Sequence, residues 1–143
     1  MQLLRLSDQS ISEVKSLFEA VLVTAEGALG TTGRRLMGLK AQVDVRDQLF
    51  DVLSDLTDDP RLADVIVVDC DGYGGLEAVQ RALGRLCQDD RRAPVILISS
   101  ECKEQVFPQR RSEPVCLRAP VSSVAMRVAM ETTLQSKFPH VMS

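Results

Sequence analysis

Four β-branched residues in a row, Val65-Ile66-Val67-Val68, run directly into the acidic turn Asp69-Cys70-Asp71-Gly72. An unbroken apolar run reads as a strand buried on both faces. That is the habit of a parallel sheet covered by helices on either side. The turn leaves the carboxyl end of the strand, where ligands and chemistry gather in open α/β sheets. Asp69 therefore stands at the rim of the core, as a working carboxylate or as a cap on the next helix.

Taken in order, the chain alternates helical and extended patterns. Residues 1–19 read as an N-terminal helical extension. Ser10 and Ser12 offer caps, and Ile11, Val14, Leu17 and Phe18 share one face of a helix over Ile11 to Glu19. Ala20 to Thr24 is the first expected strand, and Gly30 to Leu39 a helix weakened by two glycines. Gln42 to Val45 is a second strand. Asp47 to Leu56 is a helix whose stripe is Leu49, Phe50, Val52, Leu53 and Leu56. After the central strand, Leu76 to Leu86 is helical. Pro94 to Ser99 is a second continuous apolar strand. Glu101 to Phe107 gives a short helix stopped at Pro108. Val115 to Arg118 is the last strand, and Ser122 or Ser123 caps a final helix to Lys137, with Val124, Met126, Val128, Met130 and Leu134 inward. Five strand–helix units in this order predict an α/β fold. With right-handed crossovers, the expected sheet is flavodoxin-like, five-stranded and parallel, in the order 2-1-3-4-5 with helices on both faces. The expected domains are thus residues 1–19 and 20–143.

The totals exclude several functions. The 143 residues suffice for one core and not two, and 45% hydrophobic with 26% charged is globular composition. A net charge of −3 argues against direct nucleic-acid binding by this segment, and 3% aromatics without Trp disfavour a base-stacking platform. No run approaches the ~20 apolar residues of a membrane span, and the first six residues are too short and too quickly polar for a signal peptide. Cys70, Cys87, Cys102 and Cys116 show no C-x-x-C pairing, and His140 is the only histidine. A zinc site and a Cys/His or Ser/His/Asp catalytic set are both disfavoured, and the expectation is no enzyme. Scattered cysteines suit a reducing cytoplasm. Gly72, Gly74 and Gly75 match no phosphate-cradling motif, and positive φ in a tight turn explains them better.

The pattern resembles the receiver domain of bacterial two-component response regulators, over roughly Ala20 to Lys137. Asp64-Val65-Ile66-Val67-Val68-Asp69 is similar to the family's third strand, which ends in the phosphoacceptor aspartate. Gly74-Gly75-Leu76-Glu77 is similar to the start of the following helix. Pro94 to Ser100 resembles the fourth strand, whose Ser or Thr switch falls on Ser99. Val115-Cys116-Leu117-Arg118-Ala119-Pro120 resembles the fifth strand with its Lys-Pro ending. The resemblance implies Asp69 as phosphoacceptor, Ser99 as switch, and Mg2+, held by Glu26, Asp69 and Asp71, as the one cofactor to consider.

The departures fall on the chemistry. The acidic pair after strand one falls on Ala25 and Glu26, so one carboxylate is missing. The lysine before the last proline falls on Ala119, and Arg118 points to the opposite face of its strand. The aromatic of strand five falls on Cys116, and the turn after Asp69 is two residues shorter than the family's. Phosphoryl transfer depends on positioning and on neutralising charge. These departures therefore imply a pseudo-receiver that signals by protein contact or dimerisation, with phosphorylation reduced or lost. The implied partners are a histidine kinase, a phosphotransferase or an output domain, together with a second copy of the chain. One setting is the regulatory half of a transcription factor in the cytoplasm. Two alternatives stay open: a Mg-dependent receiver that accepts phosphate at Asp69, and a small-ligand module for nucleotides at the strand ends.

Overall fold

The computed structural model describes residues 16–86, 92–106 and 113–134. Strands β1 (Phe18–Val23), β2 (Ala41–Arg46), β3 (Val65–Asp69), β4 (Val95–Ser99) and β5 (Val115–Arg118) form one sheet in the order β2-β1-β3-β4-β5. Every neighbouring pair is parallel. Helices α1 (Gly30–Gly38), α2 (Leu49–Asp58), α3 (Leu76–Leu86) and α4 (Ser123–Thr133) connect and cover it. This is the expected flavodoxin-like order.

The period of two along each strand divides the core into two layers. Val65, Val67, Ile96 and Leu117 face one side, where Leu36 of α1 and Met126 and Met130 of α4 pack on them. Ile66, Val68, Val95 and Leu97 face the other, against Val52 and Leu53 of α2 and Val79 and Leu83 of α3. Both apolar runs are thus consumed on both faces. Each large side chain removed from water here contributes about 1.5–3 kcal/mol. Ser122 caps α4, its Oγ accepting from the Ala125 amide at 3.0 Å.

Several expectations need correction. Phe18 and Glu19 belong to β1 and not to a helix. Phe18 pairs with Ala41 and is buried on the same sheet face as Ala20 and Leu22. A stripe at helical spacing and a strand alternation share these residues, and the ladder to β2 decides. Ser16 and Leu17 are not helical either, and residues 11–15 of the expected N-terminal helix lie outside the described residues. Phe50 is 65% exposed and Val124 72% exposed, because each helix turns a narrower face inward than its apolar residues suggest. On α4 the inward set is Met126, Ala129 and Met130.

The expected helix at Glu101 to Phe107 is also absent over its described part, residues 101–106. The chain instead extends from the end of β4, and Val106 forms an antiparallel bridge with Cys116, with N–H···O distances of 2.9 and 3.0 Å. That bridge covers part of the outer edge of β5, which is one way a sheet blunts an open edge. Residue 107, Cys87 and the end of the expected last helix lie outside the described residues.

Candidate functional site

The carboxyl ends of β1, β3 and β4 converge on the turn that follows Asp69. Asp69 pairs in register with Ile98, so Ser99 stands one residue beyond it on the neighbouring strand. The chain then makes a single 3-10 turn, Cys70–Tyr73, closed by Gly74 at φ +91 and Gly75 at φ +99. Both glycines hold the positive φ expected of them. Gly72 does not. It is glycine because Ala25 lies against it: a Cβ at position 72 would sit 2.7 Å from the Ala25 methyl. Where a second acid was expected after strand one, the chain has packed a methyl onto the turn. The Tyr73 hydroxyl donates to the Asp47 carbonyl at 2.7 Å, tying the same turn to the loop after β2.

The three predicted carboxylates do different things. Asp69 is half-buried, and burial first, then the charges of Asp71 and Glu26, push its carboxyl above the ordinary value, opposed by the Asp71 backbone N–H. Asp71 has turned toward β4. Its Oδ1 accepts from the Ser99 hydroxyl at 2.7 Å, and both its oxygens accept from the Ser100 amide, at 3.2 and 3.1 Å. The Ser99 bond, with the Ser100 bonds, holds Asp71 below its ordinary value. Glu26 is exposed. None of the three has an ion-pair partner among the described residues.

Nor do they form a cation cage. Among the described residues, no group of three or more His, Cys, Asp or Glu side chains is arranged to hold a metal. Asp71 is committed to Ser99 and Ser100, while Asp69 feels the charges of both Asp71 and Glu26.

Ser99 is fully buried, and its hydroxyl is used twice, donating to Asp71 and accepting from the Glu101 amide at 3.0 Å. Glu101 returns the connection: its Oε1 accepts from the Leu76 amide at 3.3 Å, at the positive end of α3. Two carboxylates thus cross between the turn after β3 and the loop after β4, in opposite directions. The role of Glu101 was missed at the sequence level, where it read as the start of a helix. The Ala119 amide donates to the Ser99 carbonyl at 3.0 Å, and Arg118 Nε donates to the Cys102 carbonyl at 2.9 Å. Arg118 is therefore spent on the loop after β4. Cys70 is buried, its thiol pushed up to about 12 mainly by burial. A depression of about 430 Å³ lies elsewhere, bordered by Arg34 and Arg35 of α1 and Ser123 of α4.

No family model matches the chain, and no curated protein matches it by sequence. Solved structures do match by shape. The response regulator PhyR from Brucella abortus superposes with a TM-score of 0.61 at 15% identity, over 96% of this chain and 57% of that one. A mutant of the anti-anti-sigma factor PhyR from Bartonella quintana gives 0.58 at 18%, over 93% and 55%. The signal receiver domain of a modulated diguanylate cyclase from Desulfovibrio desulfuricans G20 gives 0.55 at 20%, over 87% of this chain and 99% of that domain. At such identities the likeness is one of fold, and the fold is that of a response-regulator receiver domain. The chain spans just over half the length of the two PhyR chains. Among the described residues no helix is long and apolar enough to cross a membrane.

Proposed function

We propose that this chain is an atypical receiver domain that signals by protein contact and that phosphoryl transfer at Asp69 is reduced or lost. One observation carries the reading: Asp69 stands between the fields of Asp71 and Glu26, with no cationic partner among the described residues. A transferring phosphoryl group brings more negative charge to that position, and catalysis of the transfer rests on neutralising it. The packing of Ala25 on Gly72 supports the same reading, because it fills space beside the turn with a methyl group. Incubation with acetyl phosphate and magnesium, followed by intact mass measurement, tests it. The expected spectrum is unmodified protein. A phosphoryl adduct that disappears in Asp69→Ala would refute the reading and favour a Mg-dependent receiver. The mutual repulsion of Glu26 and Asp69, which a divalent cation would relieve, is the one observation on that side.

Contact-based signalling is supported by the two PhyR structures, described as a response regulator and as an anti-anti-sigma factor. The partner we favour is an output domain, with a histidine kinase or phosphotransferase as the upstream alternative. The proposed setting is cytoplasmic, in control of transcription. We propose self-association through the N-terminal extension or through α4, whose Val124 and Val128 are exposed. Light scattering on the full chain and on a deletion of residues 1–15, which leaves β1 whole, distinguishes the two routes. A monomer in both refutes dimerisation.

A further inference from the structure

The donors that meet Asp71 form a small corner with its own logic. The Ser99 hydroxyl must accept from the Glu101 amide, so its proton is aimed at Asp71. The Ser100 amide points the same way and is shared between both carboxylate oxygens. Two N–H or O–H donors fixed on one anionic group, one from a fully buried side chain, make an oxyanion receptor. The group that fills it comes from the chain itself, two residues after Asp69.

We propose that Ser99 and Ser100 form a latent oxyanion site whose resident occupant is the carboxylate of Asp71, so that the loop after β4 is held permanently in its anion-bound arrangement. The ligand class displaced is a tetrahedral oxyanion, free in solution or carried on Asp69; only the second source rests on the receiver-like reading above. Asp71 thus does from within what a charged group arriving from outside would otherwise do. The Glu101 bond to the Leu76 amide ties the same loop to the start of α3 from the other direction.

The experiment follows the amide resonances of Ser100 and Glu101 in the full chain, with beryllofluoride and magnesium as one probe and inorganic sulfate as the other. Wild type is expected to show no shift with either. In Asp71→Ala, saturable shifts at Ser100 are expected. If they vanish in Asp71→Ala/Asp69→Ala, the oxyanion is carried on Asp69. If they persist there, it binds from solution. An Asp71→Ala protein that binds neither probe, or a wild type that binds as well as the variant, overturns the proposal. Amide exchange supplies a second measurement that needs no ligand. Ser100 should exchange about fivefold faster in Asp71→Ala, the factor for losing one ordinary hydrogen bond. Ser99→Ala should produce a similar increase at Glu101. Unchanged exchange in both variants also overturns it. An Asp69-dependent phosphoryl adduct on wild type would instead refute the proposed function, so the two failures are separable.

Discussion

Gly75→Ala tests the crossed carboxylates through backbone and side chain together. Gly75 holds φ +99, and a methyl there would sit 2.1 Å from Glu101 Oε1. Placing alanine in so sparsely populated a conformation costs about 1–3 kcal/mol. The clash itself is cheap, because the carboxylate lies at the end of a flexible side chain and swings away. What it gives up is the Leu76 amide at 3.3 Å and its position at the start of α3, together about 0.5–1.5 kcal/mol. The sum is about 2–4 kcal/mol, which for a domain of this size lowers the melting temperature by about 6–12 °C. Urea unfolding followed by far-UV circular dichroism measures it. Glu101→Ala alone should cost only about 0.5–1.5 kcal/mol. The double variant should be milder than the sum of the singles by about that amount, because the carboxylate's contact is lost only once. Strict additivity, or a Gly75→Ala protein within about 0.5 kcal/mol of wild type, would contradict a Glu101 contact shared by the two positions.

Gly72→Ala brings two methyls to 2.7 Å and should cost about 1–3 kcal/mol by the same assay, with part recovered in Gly72→Ala/Ala25→Gly. Asp69→Asn should stabilise the protein at neutral pH. Because the folded-state pKa of Asp69 is raised, wild type loses stability as pH rises through it, so the gain of the variant appears above that pKa and vanishes below the ordinary carboxylate value. Denaturant midpoints between acid and neutral pH would show this, and a gain that grows toward acid would contradict it. Cys70, with its thiol pushed up to about 12, should resist iodoacetamide at neutral pH in the native protein and react only on unfolding, as peptide mass mapping would record.

The sheet was legible because Val65 to Val68 and Val95 to Ile98 are apolar at every position, a pattern that only a doubly covered strand satisfies. The edges of elements were less so. Phe18 fits a helical stripe and a strand alternation equally well, and the ladder to Ala41 that decides between them is a long-range contact. Phe50 and Val124 were misplaced for a related reason: apolar composition says that a helix has an inner face, while the width of that face depends on what lies beneath it. The non-helical path of residues 101–106 was hidden because the partner of Val106, Cys116, is supplied by another strand.

At the site, the resemblance singled out Asp69, Asp71 and Ser99 in separate roles, and the fold brings Asp71 and Ser99 to 2.7 Å. It did not reveal that Asp71 faces β4, because an Asp two residues past a strand end reads as a turn former. Nor did it reveal that Ala25 supports Gly72, or that Glu101 caps α3 from another loop. Each of these is a contact between segments distant in sequence, for which a single chain carries no local signature.

The proposed anion site at the strand ends is filled by the protein's own carboxylate, and Asp69 has no ion-pair partner among the described residues. Amide spectra of the wild-type chain, recorded with and without beryllofluoride and magnesium, test this most directly. Under the proposal, Asp69, Ser99, Ser100 and Glu101 keep their resonance positions throughout the titration. Saturable shifts at those four residues, abolished by Asp69→Ala, would contradict it.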